Sequence, residues 1–351
     1  MSTPPPAKRS RTDDSLDADP SGLESARSNN YGRGEIWLDD GNVVLVAEGM
    51  AFKVHKSTLA LNSEVFRDMF TIPQPADAEM WEGCPVVHLQ DSKKDLLYIL
   101  RALFDTRNTS WFAYGSKLPF TVVSAMLRLG SKYQILQLRH DAIRRLSECF
   151  PSCLDHFRNY YTDGTPLDND DEIQSNSIHV PTINMCIAVI NLARSFDLPQ
   201  LLPPAFYLSA MMENEVLVPG WTDEDGNHWQ LSPQDLVRSL NGRAELHNMV
   251  ATQRRPLLTA QVHENCIATN RCERALSDER DCPYDDAVEN TLKDWKALIT
   301  ASRSWVPGVA LCGRCLGGFQ RRHNALRDQT WNNLAEFFEL DGVEWPVKEQ
   351  T

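Results

Sequence analysis

Residues 41–70 read GNVVLVAEGMAFKVHKSTLALNSEVFRDMF, and this stretch decides the fold of the N-terminal half. An apolar, β-branched run and an alternating run flank Glu48-Gly49, a turn dipeptide, so a β-hairpin is predicted. Apolar residues at helical spacing from about Lys56 onward predict a helix that breaks near Ser63. The hydroxyl of this serine suits the N-cap of the second helical piece.

The segments that follow extend this pattern to an α+β fold. Residues 85–89 predict a short strand, and the spacing of apolar residues predicts a helix after Ser92. Two helices separated by Gly130 are predicted over 118–150. Further helices are predicted at 183–196, 201–216, 264–272, 288–299 and 325–340. The expected architecture is a small sheet flanked by helices, followed by a mainly α-helical C-terminal region.

The motif residues within residues 41–70 resemble the opening of a BTB/POZ domain. The shared pattern is a hairpin, then Phe-x-x-His, Leu-Ala, Ser and a closing Phe-x-x-Met-Phe. In this chain the pattern falls on Phe52, His55, Leu59, Ala60, Ser63, Phe66, Met69 and Phe70. The resemblance covers residues 35–150 and implies the BTB/POZ fold for them.

A closer resemblance is to a large group of fungal BTB proteins. These proteins share the acidic lead-in at residues 39–42 and the sequence Glu-Gly-Cys-Pro at residues 82–85. Their C-terminal halves carry a short Cys-x-x-Cys, which is matched here by Cys312 and Cys315. This part of the resemblance implies no particular activity.

BTB domains are protein-interaction modules that dimerise, and many are substrate adaptors for cullin ubiquitin ligases. The resemblance therefore implies protein partners, which include a second copy of the chain and a cullin. Adaptors often carry an apolar-x-Glu motif after the Met-Phe helix, and Met80, Trp81 and Glu82 lie at that place. The physical basis of this motif is an apolar anchor that enters a cullin pocket, together with a charge that fixes the register of the contact. The alternative is a plain loop.

Two positions depart from the pattern of BTB transcription factors. Those proteins place an Asp in the first hairpin strand and an Arg after the His, in a pocket that binds corepressors or supports the dimer. This chain has Asn42 and Lys56 there, and an amide with an ammonium lacks the bidentate fork of a carboxylate with a guanidinium. The departure argues against such a corepressor role and weakens the expectation of the usual dimer. His55 is expected to be a buried, hydrogen-bonded structural residue.

Composition and charge argue against two classes of binding partner. The chain has 35 Lys+Arg against 48 Asp+Glu, a net charge of −13. This balance argues against nucleic-acid binding through a broad basic surface and against a basic membrane-surface protein. Residues 1–34 are poor in large apolar side chains and are expected to be disordered. Residues 151–175 are expected to form an acidic linker before a helical domain at 176–351.

The N-terminal segment also bears on localisation. It contains no apolar stretch typical of a secretory signal, so the cytoplasm, the nucleus or both are expected. The basic cluster at residues 8–11 has the composition of a nuclear import signal. It leaves open an alternative function, a nuclear BTB regulator that recruits transcription partners.

Among the nine cysteines, one pair has metal-ligand spacing. Cys312 and Cys315 have the two-residue spacing of a zinc knuckle, in which a tight turn aims two thiolates at one metal. The two further ligands that a structural zinc needs could come from Cys266, Cys272, Cys282, His263 and His323. Because no second Cys-x-x-Cys is present, buried unliganded thiols are favoured over a structural zinc, and a redox pair is third.

The chain is expected not to be an enzyme. It lacks a phosphate-binding Gly-rich loop, His-Glu-x-x-His and Gly-x-Ser-x-Gly. The remaining alternative is an active site hidden in residues 173–351. Trp221 and Trp229 bracket a polar turn, and half-buried packing is favoured for them over an exposed partner-binding patch.

Overall fold

The computed structural model describes residues 31–73, 77–104, 116–161, 177–179, 182–249, 251–252, 262–280, 291–292 and 311–346. The N-terminal elements are β1 (Gly32–Trp37), β2 (Val43–Ala47), β3 (Met50–Val54), α1 (Lys56–Asn62), α2 (Glu64–Thr71), β4 (Met80–Trp81), β5 (Cys84–His88), α3 (Lys93–Phe104), β6 (Leu118–Pro119), α4 (Phe120–Lys132) and α5 (Leu136–Cys149).

The elements that follow are α6 (Leu154–Tyr161), β7 (Ile178–His179), α7 (Met185–Ser195), a short 3-10 helix (Pro199–Leu201), α8 (Leu202–Met211), α9 (Asn214–Leu217), β8 (Trp221–Thr222), β9 (His228–Trp229), α10 (Pro233–Met249), α11 (Thr269–Arg280), α12 (Gly313–Asn332) and α13 (Leu334–Phe337). Within the described ranges, no helix is both long and apolar enough to span a membrane. The α+β architecture predicted from the sequence is confirmed.

A five-stranded mixed sheet forms the centre of the N-terminal part. Its strand order is β1-β3-β2-β5-β4. The predicted hairpin is present: β2 and β3 pair antiparallel, with Val43 opposite Val54. Glu48 and Gly49 have φ angles of 44° and 74°. Positive φ at both turn residues gives a twist that matches the twist of the flanking strands.

The central strand β2 is buried on both faces of the sheet, which explains its uninterrupted apolar run. Val43 and Leu45 point into the main core with Phe52 of β3. Val44 and Val46 point the other way, into a smaller cluster that aromatic side chains cover. We call this smaller cluster the outer cluster; its buried members are Val44, Val46, Ala51 and Cys84. Alternation of side chains along a strand places one set on each face.

Ser63 connects the short helices α1 and α2 to α4, the first helix of the pair α4 and α5. It is the N-cap of α2, as predicted, and its Oγ accepts a hydrogen bond of 3.1 Å from the backbone N–H of Phe66. The same hydroxyl donates to the carbonyl oxygen of Tyr133 at 2.5 Å, where α4 ends. One buried side chain therefore both begins α2 and fixes its position against α4.

The N-terminal and C-terminal parts share one hydrophobic core. Strands β6 and β7 pair in parallel, with Leu118 opposite Ile178. The fully buried Arg145 of α5 donates to the carbonyl oxygen of Ser177 at 2.8 Å and to Asp141 at 2.7 Å. The main core therefore includes residues on both sides of the acidic segment.

The hairpin of β8 and β9 packs on the N-terminal part. Trp221 and Trp229 face each other across it and are half-buried. Their rings lie 5.8 Å and 6.3 Å from the ring of Phe120 at the start of α4. The half-buried packing favoured from the sequence is therefore confirmed for both tryptophans.

Two boundaries in the N-terminal part differ from the sequence prediction. Strand β1 begins at Gly32, inside the segment predicted to be disordered, and residues 1–30 lie outside the described residues. Helix α6 lies inside the predicted linker, because Leu154 and Phe157 are buried in the main core.

The C-terminal helices also differ in their limits. The helix predicted at 201–216 is interrupted, because the extended backbone of Met212 ends α8. The next predicted helix begins later, at Thr269, and the last begins much earlier, at Gly313. The helix predicted at 288–299 lies almost entirely outside the described residues.

Candidate functional site

Met80 and Trp81, two of the predicted contact residues, form the edge strand β4. The side chain of Met80 is 52% exposed. Trp81 points to the other side, where its ring lies 5.0 Å from the ring of Trp37 and covers the outer cluster. Because successive side chains of a strand point in opposite directions, the packing of Trp81 holds Met80 outward.

Glu82 belongs to a second Glu-Gly turn, which joins β4 to β5. Glu82 and Gly83 have φ angles of 47° and 72°, as in the turn between β2 and β3. The carboxylate of Glu82 accepts from the guanidinium of Arg33 and lies 3.3 Å from Nζ of Lys53. Its charge is therefore bound within the chain, and it stabilises the turn beside Met80.

The apolar positions of the BTB motif belong to the main core. They are buried or half-buried, and they comprise Phe52, Leu59, Phe66, Met69 and Phe70. The ring of Phe66 stacks on that of Tyr133 with centroids 4.6 Å apart. These residues determine where the edge strand lies and take no part in an exposed site.

The sequence departs from BTB transcription factors at Asn42 and Lys56. The contact between these two residues runs from a side chain to the backbone, rather than between two side chains. Oδ1 of Asn42 accepts a hydrogen bond of 2.8 Å from the backbone N–H of Lys56, the first residue of α1. His55 is half-buried rather than buried, and its Nε2 lies 2.9 Å from Oδ1 of Asp40. The expectation of full burial is wrong for His55, and its polar partner is an exposed carboxylate.

Four cysteines come together at the N-terminal ends of α11 and α12. The Sγ atoms of Cys266, Cys272, Cys312 and Cys315 all lie within 4.8 Å of one another. The distance between Sγ of Cys266 and Sγ of Cys312 is 3.7 Å. Cys312 is the N-cap residue of α12. We call this group the cysteine cluster; it could bind a metal ion.

The other predicted zinc ligands are not members of the cysteine cluster. The backbone N–H of His263 donates to Sγ of Cys315 at 3.3 Å, while its Nδ1 accepts from the backbone N–H of Asn265. The ring of His323 packs 6.0 Å from that of Phe319, further along α12. Cys282 lies outside the described residues.

The electrostatics of the cysteine cluster differ from one sulfur to the next. The backbone N–H groups of Cys315 and Ile267 face Sγ of Cys312 and lower the pKa of this thiol to about 6. Burial raises the pKa of Cys315 to about 12, and burial also raises the pKa of Cys272. Negative charge is therefore more favourable on Cys312 than on Cys272 or Cys315.

A polar pocket lies between α7 and the start of α10 in the C-terminal part. It is lined by Asn191, Arg194, Ser195, Ser232, Gln234, Asp235 and Arg238. Asp235 accepts from Arg194 at 2.9 Å and from Arg238 at 3.1 Å. The carboxylate among these described lining residues is thus bound by two guanidinium groups, which does not suit a general base.

Comparison with known protein families places the edge strand in a defined module. The family model of the BTB/POZ domain matches residues 39–148. No curated protein shows significant sequence similarity to the chain. BTB/POZ domains are a protein–protein interaction family, and their interactions include dimerisation. The family match and the five-stranded sheet with its helices agree, and the chain therefore contains a BTB/POZ domain at residues 39–148.

Proposed function

We propose that the chain is a non-enzymatic adaptor whose BTB/POZ domain binds a cullin through the surface around Met80. The observation that supports this proposal is the exposed Met80 beside the packed Trp81. The packing of Trp81 fixes the backbone of β4, so the direction of the Met80 side chain is set before a partner binds. Anchors of this kind, at the centre of an interface, carry most of the binding free energy.

Glu82 takes a supporting role in this proposal. Its carboxylate is paired with Arg33 and Lys53, so a partner would have to break these pairs to use its charge. We therefore assign recognition to Met80 and assign the shape of the turn to Glu82 and Gly83.

A binding titration of the purified full chain against the N-terminal domain of a BTB-binding cullin tests the proposal. Met80→Ala should weaken binding by tenfold or more, about 1.4 kcal/mol. Val237→Ala is the matched control, because Val237 is an equally exposed apolar residue on α10. Equal affinities for wild type and Met80→Ala, or no binding at tens of micromolar, would reject the cullin proposal.

Self-association is a second candidate, favoured by two exposed apolar side chains, one on α1 and one directly after α2. Leu61 of α1 is 86% exposed, and Ile72 follows directly after α2 and is also exposed. Light scattering over a range of concentrations would report the molar mass. A dimer that Leu61→Ser and Ile72→Ser convert to monomer would support this role, whereas a wild-type monomer at all concentrations would exclude it.

We also propose a location in the cytoplasm, the nucleus or both. The basic cluster at residues 8–11 supports nuclear import and, with it, the nuclear-regulator alternative. Fusing residues 1–34 to a fluorescent reporter tests this point. A reporter that stays evenly distributed would remove the support for import.

A further inference from the structure

The spacing of the sulfurs in the cysteine cluster matches a metal-centred tetrahedron. With Zn–S bonds of about 2.3 Å, two sulfurs of a tetrahedral site are about 3.8 Å apart. The measured distance between the sulfurs of Cys266 and Cys312 is 3.7 Å, and all six distances stay within 4.8 Å. A disulfide requires about 2.05 Å, so the arrangement does not describe bonded pairs.

The backbone around the cluster is arranged to hold negative charge on sulfur. Ala268 donates its N–H to Cys266 at 3.4 Å, and Cys312 donates its N–H to Cys272 at 3.2 Å. His263 donates to Cys315. Three of the four sulfurs therefore accept a backbone N–H.

Such donors stabilise a thiolate far more than a neutral thiol, because hydrogen bonds to a charged acceptor are stronger. The positive end of the α12 dipole acts in the same direction, since Cys312 is the N-cap residue of this helix and Cys315 lies in its first turn. Buried thiols that serve only as small apolar side chains have no need of this arrangement.

We infer that Cys266, Cys272, Cys312 and Cys315 bind one Zn²⁺ as a structural tetrathiolate site. Four sulfur ligands in a tetrahedron select zinc among the divalent ions of cells, or iron in sulfur clusters. A multi-iron cluster would separate the cysteines further, because several metal atoms lie between them. With four protein ligands no coordination position stays open, so the site is structural. Each thiol that binds releases its proton to solvent.

The ion would join two distant segments of the chain and fix the start of α12. Two ligands lie at 266–272 and two at 312–315, and Arg314 already reaches the carbonyl oxygen of Asn265 at 2.9 Å. Near the other end of α12, the indole of Trp331 donates to the carbonyl oxygen of Ser152 at 3.3 Å. Zinc binding should therefore stabilise α12 and its packing against the segment that follows α5.

Metal analysis of the full chain, purified under reducing conditions, tests the inference. We expect one zinc per chain in the wild type and in Cys153→Ser, a half-buried cysteine outside the cluster. Cys312→Ser with Cys315→Ser should lose the zinc. Zinc well below one equivalent, iron in its place, or zinc retained by the double variant would overturn the inference.

A second measurement keeps the inference testable if the double variant fails to fold. Exchange of wild-type zinc for Co²⁺ should give the strong sulfur-to-cobalt charge-transfer and visible bands of a tetrahedral tetrathiolate. A spectrum of oxygen or nitrogen ligation would overturn the ligand set. Removal of zinc with a chelator should increase amide hydrogen exchange in α12, and unchanged exchange would reject the structural role.

Discussion

The phenol of Tyr98 donates a hydrogen bond of 2.9 Å to the carboxylate of Asp225, although the two residues are 127 positions apart. Tyr98 lies on α3 of the BTB/POZ domain, and Asp225 lies in the turn between β8 and β9. Lys94, one helical turn before Tyr98, reaches the same carboxylate at 2.9 Å. The C-terminal hairpin is thus bound to a helix of the interaction module.

Tyr98→Phe should lower the free energy of unfolding by about 1 kcal/mol, because the largely buried carboxylate of Asp225 loses a donor. Urea denaturation followed by tryptophan fluorescence would measure the change. Lys94→Met is the comparison: its ammonium is half-exposed, so its loss should cost less, about 0.5 kcal/mol. A larger effect for Lys94→Met would contradict the assignment.

Alkaline pH offers a separate test of this contact. Burial, reinforced by the hydrogen bond to Asp225, raises the pKa of Tyr98 from 10.0 to about 12. The folded chain therefore holds this proton more tightly than the unfolded chain. The stability it contributes is fully present below pH 10 and is lost as the pH rises through about 12. Between these values, Tyr98→Phe should lose stability less steeply than the wild type; parallel slopes would reject the shift.

Gly242→Ala should destabilise the C-terminal part by about 1–3 kcal/mol through overpacking. A Cβ at this position would lie 2.0 Å from Cδ1 of Phe338, so α10 or the ring must move. Gly317→Ala on α12 is the matched control, since its nearest neighbour is the mobile guanidinium of Arg321 at 3.8 Å. The control should be neutral or stabilising by up to about 1 kcal/mol. Similar losses at both glycines in thermal unfolding would contradict this account.

Arg145→Met should cost about 3 kcal/mol, because it leaves the carbonyl of Ser177 without its buried donor and weakens the binding of Asp141. Arg144→Met removes the neighbouring guanidinium, which is partly exposed and also pairs with Asp141. It should cost less than about 1 kcal/mol. Chemical denaturation of both variants would check the difference, and equal costs would show that burial of Arg145 contributes little.

Local patterns in the sequence were sufficient to predict much of the BTB/POZ domain. The turn at Glu48-Gly49 and the N-cap at Ser63 are signalled by residues close to them, and both are confirmed. The same dipeptide occurs at Glu82-Gly83, yet the second hairpin was not predicted. Its strand β4 has only two residues, too few for alternation to be recognised.

Strand pairing between residues that are far apart in the chain leaves no comparable pattern in the local sequence. The backbone pairing of Leu118 with Ile178 joins the segments on the two sides of the acidic segment. Nothing near either residue in the sequence indicates the other. Burial of Arg145 was equally hidden, because arginine is mostly an exposed residue in folded proteins.

The cysteine cluster was predicted in part. All four members were named as candidate ligands, but the spacing of Cys266 and Cys272 matches no zinc knuckle, so the pairing stayed open. The start of α12 was missed because Gly313, Gly317 and Gly318 are poor helix formers. Tertiary packing of Cys315 and Phe319 outweighs that low propensity.

The core that runs through both halves of the chain has a thermodynamic consequence. A molecule with one continuous core is expected to melt in a single cooperative transition. A partner that binds the folded BTB/POZ domain then raises the melting temperature of α8, α10 and α13 as well, by mass action. Conversely, a damaging substitution near Phe338 would reduce the population able to bind a partner at Met80, without touching the surface that the partner recognises.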